Sequence, residues 1–385
     1  MKKIQVVDFM RAVGILLVLA GHLEKSFLEK GLQEGALDQL WFRIWSNHGF
    51  GVSMFFVISG FLITRLIALG PGGLFRPDFR DFYTRRIGRL FPLLVVICLG
   101  GSLIVALLSG TSHRDQVTFD PGTSSFDLSF WLSIATFGLS GYVLPYFGIH
   151  GQQTAHGLHW DVLWSLQIEE QFYLCYPLLL RFLGTPRRLT LFLLALVVLN
   201  PLYILLVWKT QPYQMAVVGS PLSGFHLIAL GCLLYLTSER FGPYLSAHKD
   251  RAILVCLSGV ALILAAYGHY YLRTDFWWRI LGNTLIGGGT FLLLLGGFHL
   301  RFFDSGWMAP LTLPGRLSYG MYLLHSTVLF VLWPYFSGEY QFLSFGLFAA
   351  GTVLLSWVSH RYLEVPLNLS IRKALGRPSR ARGAA

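Results

Sequence analysis

Charge is the scarcest commodity in this sequence. Asp, Glu, Lys and Arg make up 13% of its 385 residues, about half the share in an ordinary soluble domain. Nineteen acidic residues cannot coat the two or three polar-surfaced domains that a soluble chain of this length would form. Cysteine is almost as scarce. Cys98, Cys175, Cys232 and Cys256 lie far apart inside apolar runs with no metal or redox spacing, so they read as buried free thiols. These shortages exclude a soluble enzyme, a disulfide scaffold and a disordered chain. There is no internal repeat either, and no low-complexity domain.

What is present in abundance is apolar: 54% of residues are hydrophobic, 15% are aromatic, and the mean hydropathy is +0.57. A transmembrane helix needs about 20 mostly apolar residues. Ten such runs stand out, at 4–23, 50–69, 90–110, 164–184, 189–208, 220–237, 252–270, 279–298, 317–334 and 342–360. The sequence therefore predicts an all-α, polytopic integral membrane protein. Its expected form is one bundle of about ten transmembrane helices in the cytoplasmic (inner) membrane. An eleventh stretch, 128–147, contains Gly138, Gly141 and Pro145 and could be re-entrant or spanning.

The net charge of +11 is not a nucleic-acid signal, because the bases sit in short segments between apolar runs instead of on one aromatic-lined face. With ten spans and both termini cytoplasmic, 22 of the 30 Lys and Arg fall on the inner side, among them Arg85, Arg86 and Arg89. That is the positive-inside pattern, with lipid headgroups as partners. Counting 128–147 as a span would turn Arg187, Arg188 and the basic tail outward. The domain reading is a membrane domain over 1–371 and a basic, disordered cytoplasmic tail over 372–385.

Polar groups inside apolar runs are the functional candidates, since an ionised side chain at mid-bilayer costs about 2.5–3.5 kcal/mol even on lenient scales. On the first run Arg11 and His22 are eleven residues apart, close to three turns. Both project from one face roughly 16 Å apart, with Asp8 one turn before Arg11. The competing reading has Asp8 and Arg11 anchoring the inner end while His22 caps the outer one. In FRDFYTRRIGRLFP, Arg86 and Arg89 share a face at the expected helix start, where guanidinium forks and a helix N-terminus suit phosphate; simple positive-inside anchoring competes. In HWDVLWSLQIEEQFYLCYP, Glu169 and Glu170 point in different directions, so at most one can face the His22 stripe. An interfacial aromatic belt with solvated acids is the alternative there. Ser318, Tyr322 and His325 share one face of the ninth run, which polar helix–helix packing would also explain. Ser59 in FFVISGFLIT lacks a nucleophile-elbow context and reads as small-residue packing. His150, His156 and His159 have loose metal-like spacing without supporting acids, and no metal site is expected.

Together these segments resemble acyltransferase family 3, the polytopic membrane O-acyltransferases. The resemblance rests on VDFMRAVGILLVLAGH, with Arg11 and His22 separated by ten residues, and on FFVISGFLI at 55–63. Arg86 and Arg89 two residues apart, WSLQIEEQFYL at 164–174 and SYGMYLLH at 318–325 complete it. The five occur in the family's order over nearly the whole chain. Two departures stand out. Val162 occupies the place where many members have a His, two residues before the Trp, and the sequence ends without the SGNH-type domain some members carry, as expected of a stand-alone type. The resemblance implies transfer of an acyl group, commonly acetyl from acetyl-CoA, to a hydroxyl of a glycan or small-molecule acceptor. A separate extracytoplasmic transferase could complete delivery.

Under that expectation His22 is the general base, or carries the acyl group transiently. Arg11 stabilises oxyanion charge or positions the donor, and Asp8 holds Arg11. Arg86 and Arg89 bind the CoA phosphates, while Glu169 orients His22 or the acceptor. Tyr173, Ser318, Tyr322 and His325 contact substrate. The rival function is a transporter or flippase for a lipid-linked sugar, for which ten spans with buried charge also suit.

Overall fold

The computed structural model describes residues 4–24, 44, 47–108, 163–207, 221–268, 276–332 and 341–375. Within these the protein is all helical: α1 (Gln5–Glu24), α2 (Gly49–Ala68), α3 (Phe79–Leu108), α4 (Leu163–Leu183), α5 (Pro186–Val207), α6 (Pro221–Ala247), α7 (Lys249–Gly268), α8 (Phe276–Gly297), α9 (Met308–Leu332), α10 (Gln341–Ser359) and α11 (Val365–Leu375). A 3₁₀ turn at Arg301–Asp304 precedes α9, and a π turn at His360–Glu364 joins α10 to α11. Each of the ten apolar runs lies on one of α1 to α10. The stretch 128–147, His150, His156, His159 and Val162 lie outside the described residues.

Among the described residues four segments are long and apolar enough to cross a membrane: Gln5–His22, Gly49–Ala68, Lys249–Gly268 and Leu343–Leu375. The helices α3 and α4 are less apolar, because they carry arginines and glutamates in their interiors. The outer surface of the bundle is greasy where water would forbid it: Leu107, Phe182, Leu191, Leu257, Leu264 and Leu354 are all exposed. Helices satisfy their own backbone groups, and lipid accepts such side chains at no cost. This is a membrane protein.

Small residues set the helix spacing. A Cβ added to Gly60 would run into the Ile228 carbonyl, and one on Gly231 into the Val57 carbonyl, so α2 and α6 interlock reciprocally. Gly315 on α9 lies against the Asp8 carbonyl of α1, and Gly51 on α2 against the Gly14 carbonyl of the same helix. With no hydrophobic force between helices in lipid, such close backbone approach is what holds them. As a result α1 is clasped between α2 and α9. The core formed there includes Ile15, Leu19, Val57, Tyr176, Ile228 and Met321.

The start of α3 differs from expectation. Asp78 follows Pro77 and caps the helix, its Oδ1 accepting from the Asp81 amide at 3.2 Å. Arg85 pairs with Asp81 at 2.8 Å. Arg86 and Arg89 therefore sit in the second and third turns, beyond reach of the N-terminal amides, and the helix end contributes nothing to any anion they hold. Cys98, Cys232 and Cys256 are buried free thiols, but Cys175 is exposed on the outward face of α4 beside Leu174. Arg372 and Lys373, assigned to the tail from the sequence, lie within α11, whose last described residue is Leu375. Residues 376–385 lie outside the described residues.

Candidate active site

Five helices, α1, α2, α3, α4 and α9, converge on a cavity of about 90 Å³ that opens to solvent. Its polar lining consists of Arg11, Ser59, Arg86, Arg89, Ser165, Glu169, Tyr173, Ser318, Tyr319 and Tyr322, set among Val52, Phe55, Phe56 and Leu62. Apolar walls with a few convergent polar groups are the usual make-up of a small-molecule site. Each polar residue comes from a helix that is apolar on most other faces, so the side chains have nowhere to turn but inward.

Glu169 is the hub. Ser59 Oγ donates to its Oε1 at 2.7 Å and Tyr173 Oη to its Oε2 at 3.0 Å. Tyr173 reaches it from one turn further along α4, and the Arg86 guanidinium lies 4.2 Å from the centre of the Tyr173 ring. Arg11 is within electrostatic reach of Asp8, Glu169 and Arg89. Three guanidinium groups thus share a wall with one carboxylate, which leaves the lining cationic. Arg86 Nε and Ser318 Oγ are buried there without a hydrogen-bond partner among the described residues. Unpaired buried donors next to excess positive charge suit an anionic, oxygen-rich ligand.

One turn before Glu169 on α4, Ser165 Oγ shares a hydrogen bond of 2.6 Å with Tyr322 Oη that ties α4 to α9. Tyr319 Oη donates to the Leu90 carbonyl at 2.6 Å and so ties α9 to α3.

Glu170 faces elsewhere, as adjacent positions on a helix must. It lines a second, more apolar cavity of about 220 Å³ between α3 and α4, together with Gln167, Tyr83 and Leu94. Arg86, Leu90, Leu166 and Tyr173 border both cavities.

His22 is not among the residues that line the first cavity. It lies beyond the Tyr322 end, in a group of imidazoles. Its ring is 4.8 Å from that of His325 and 5.7 Å from that of His48, centre to centre. Tyr322 links the two regions, since it lines the cavity and its ring is 5.7 Å from His325. His48 can approach because Gly21 has no side chain; a Cβ there would occupy the space of the His48 ring. Among the described residues no set of three His, Cys, Asp or Glu side chains is arranged to hold a metal ion.

The structure therefore brings Arg11, Arg86, Arg89, Glu169, Tyr173, Ser318 and Tyr322 together around one cavity, with Asp8 beside Arg11. It sets His22 and His325 apart as a pair. Glu169, expected to orient His22 or the acceptor, accepts from Ser59 at one carboxylate oxygen and from Tyr173 at the other, and each oxygen keeps a further lone pair. Sequence reasoning assigned Ser59 to small-residue packing and gave no role to Ser165, Tyr319 or His48. Ser59 had a usable signal, a lone hydroxyl amid FFVISGFLI on a buried helix. His48 had none, since its importance comes from the Gly21 contact across two helices.

Comparison with known proteins gives a consistent result. Residues 4–361 match the family described as an acyltransferase domain. The O-acetyltransferase OatA of Staphylococcus aureus is 28% identical over 336 residues, covering 84% of this chain and 53% of that protein. The putative peptidoglycan O-acetyltransferase YrhL of Bacillus subtilis is 27% identical over 381 residues, with coverage of 94% and 54%. The peptidoglycan O-acetyltransferase OatA of Listeria monocytogenes is 26% identical over 387 residues, with coverage of 95% and 56%. The chain spans about half the length of these curated relatives. No solved structure matches it.

Proposed function

Because this chain belongs to the acyltransferase-domain family, we propose that it is a multi-pass membrane O-acetyltransferase. It moves acetyl from acetyl-CoA to a hydroxyl of a glycan, with peptidoglycan the acceptor class that the names of its relatives suggest. The topology we assign is ten spans in the cytoplasmic membrane with both termini inside. The observation that carries the reading is the cationic cavity in which Arg11, Arg86 and Arg89 surround Glu169, with His22 beyond its Tyr322 end.

In this scheme Arg86 and Arg89 hold the donor phosphates from the inner side, and the thioester arm extends through the cavity toward α1. His22 accepts the proton of the acceptor hydroxyl as its oxygen attacks the thioester carbonyl. Arg11, roughly 16 Å along α1 from His22, positions the donor, and Asp8 holds Arg11. The C–S bond breaks, and the CoA thiolate takes the proton from His22. The products are an ester and free CoA. Tyr173, Ser318 and Tyr322 supply hydroxyls to bound substrate, and Glu169 organises the cationic wall. A partner transferase on the outer face is compatible with this scheme but not required by it.

The test uses purified protein in lipid vesicles with acetyl-labelled acetyl-CoA and peptidoglycan fragments. Wild type should release CoA and label the fragments, whereas His22→Ala should do neither while still binding the donor. Arg86→Ala/Arg89→Ala should weaken donor binding by at least about tenfold, from loss of two charge-assisted contacts. Full turnover by His22→Ala overturns the base assignment, and unchanged donor affinity in the arginine double variant overturns the phosphate assignment.

A further inference from the structure

The second cavity, about 220 Å³ against about 90 Å³ for the first, has no occupant in the scheme above. It is a slot between α3 and α4. Tyr83 Oη donates to the Leu174 carbonyl at 2.8 Å at one end, and Leu94 clusters with Leu163 at the other. The two helices therefore run antiparallel along it. The eleven-residue steps from Tyr83 to Leu94 and from Leu163 to Leu174 each rise roughly 16 Å. Ile87, Phe91 and Leu174 line the slot and are exposed on the greasy outer surface of the bundle. At the far end Leu323 and Leu324 of α9 join Leu94 and Leu163, with Tyr322 packed against them.

A lipid chain would suit such a slot if its walls were apolar throughout, and they are not. Arg86 Nε, Glu170 Oε1 and Gln167 Nε2 are buried there without a hydrogen-bond partner among the described residues. Native structures leave few such atoms unpaired, and three around one space ask for a ligand. Their order is informative. Arg86 lies over the Tyr173 ring. From Tyr173 toward Leu163 come Glu170 and then Gln167, three residues apart on one face of α4, with Cβ atoms about 5–6 Å apart. The matching ligand carries an anion, then an N–H for the Glu170 oxygen, then a carbonyl for the Gln167 amide, strung on an otherwise apolar chain.

We propose that this slot holds the amide-bearing arm of the acyl-CoA donor: Glu170 accepts from the N–H of the amide nearer the phosphates, and Gln167 donates to the carbonyl of the amide nearer the thioester. The inference rests on the reading of acyl-CoA as donor with its phosphates at Arg86 and Arg89. A short methylene spacer separates the two amides of the arm, as one helical turn separates Glu170 from Gln167. From phosphate to sulfur the arm has the reach of about four extended residues, roughly 14 Å. That length carries the thioester from Arg86 to the Leu94–Leu163 end, where Tyr322 packs. There it turns past Leu166, which borders both cavities, into the first cavity at its Tyr322 end, beyond which His22 lies.

Competition against radiolabelled acetyl-CoA, with the protein in lipid nanodiscs, tests the proposal with three probes. S-acetylpantetheine has both amides and no phosphates, S-acetyl-N-acetylcysteamine has only the amide beside the thioester, and ADP has phosphates and no arm. Glu170→Met should weaken S-acetylpantetheine by at least about tenfold, as for loss of a hydrogen bond to a charged group. Gln167→Met should weaken it about threefold, as for a neutral one. Glu170→Gln keeps an acceptor oxygen and should stay within about threefold of wild type. S-acetyl-N-acetylcysteamine should respond to Gln167→Met but not to Glu170→Met. Ile87→Trp, which plugs the slot from its exposed rim, should weaken S-acetylpantetheine as well. None of these variants should weaken ADP.

S-acetylpantetheine affinity unmoved by Glu170→Met and Ile87→Trp overturns the proposal, as does a loss equally severe for ADP. A raised KM for peptidoglycan fragments with acetyl-CoA binding unchanged gives the slot to the acceptor and overturns it too. If wild type binds neither acetyl-CoA nor S-acetylpantetheine, the donor reading falls and this inference with it. If wild type and the slot variants bind both equally well, this inference alone falls.

Discussion

Replacing Gly315 with alanine tests whether the distance between α1 and α9 controls the chemistry. The added Cβ would be driven into the Asp8 carbonyl, closer than any ordinary van der Waals contact allows, and its neighbours are backbone atoms with no side chain to swing away. The two helices would have to separate by on the order of 1.5 Å, and overpacking of this kind costs about 1–3 kcal/mol. The functional cost should exceed the structural one. Asp8, Arg11 and His22 are on α1, while Ser318, Tyr322 and His325 are on α9. Displacing groups that must act together by about 1 Å can cost roughly 100-fold in rate. Gly346→Ala on α10 is the matched control, because a Cβ there meets nothing within 4 Å; it should gain the usual helix preference of alanine, about 0.5–1 kcal/mol. The assay compares thermal unfolding in lipid nanodiscs with release of CoA from acetyl-CoA for the three proteins. If Gly315→Ala matched wild type in both, α1–α9 register would not govern the site, and the argument from close helix approach would be wrong.

Other substitutions separate the cationic wall from the rest of the fold. Ser59→Ala removes one of the two hydroxyl donors to Glu169 and should cost about 1–3 kcal/mol of stability. The same change in a Glu169→Gln background should cost measurably less, so a double-mutant cycle of thermal stabilities with no coupling would remove Glu169 from the centre of the network. Outside the spans, His299 follows α8, shares a hydrogen bond with Ser246 and has Lys249 bonded to its carbonyl. Burial, and then the Lys249 charge, push its pKa below the ordinary 6.5. The unfolded chain therefore binds this proton more readily, and stability drains away as pH falls below about 6.5. His299→Asn should flatten the stability profile between pH 7 and 5, and an unaltered profile would show that another group sets the acid sensitivity.

How much of this was legible beforehand depends on whether a feature is carried by one helix or by two. The apolar runs define the helices because lipid demands about 20 apolar residues whatever surrounds them, and each of the ten runs became a helix. Spacing along one helix was equally readable. Arg86 and Arg89 share a wall, Ser318 and Tyr322 share another, and Glu169 and Glu170 part toward different cavities, all as helical geometry requires. Partners across helices were not readable, because nothing in a sequence states the rotation of one helix against the next. Glu169 could have faced His22; it faces Ser59 instead because Gly60 locks α2 against α6 and turns the neighbouring hydroxyl toward α4.

The same distinction accounts for the division of the site. Charged groups gather where five helices meet around a common space, and there they compensate one another: Glu169 among three arginines, with Tyr173 lying against the Arg86 guanidinium. The imidazoles of His22 and His325 gather where α1 and α9 meet. A phosphate-bearing donor needs fixed positive charge, whereas a general base must stay neutral until it takes a proton. Placing His22 among the guanidinium groups would bias it by their field, and placing the arginines beside His325 would charge a dry helix contact. Roughly 16 Å of α1 between Arg11 and His22 keeps the two demands apart, and the thioester arm of the proposed donor is the element that bridges them.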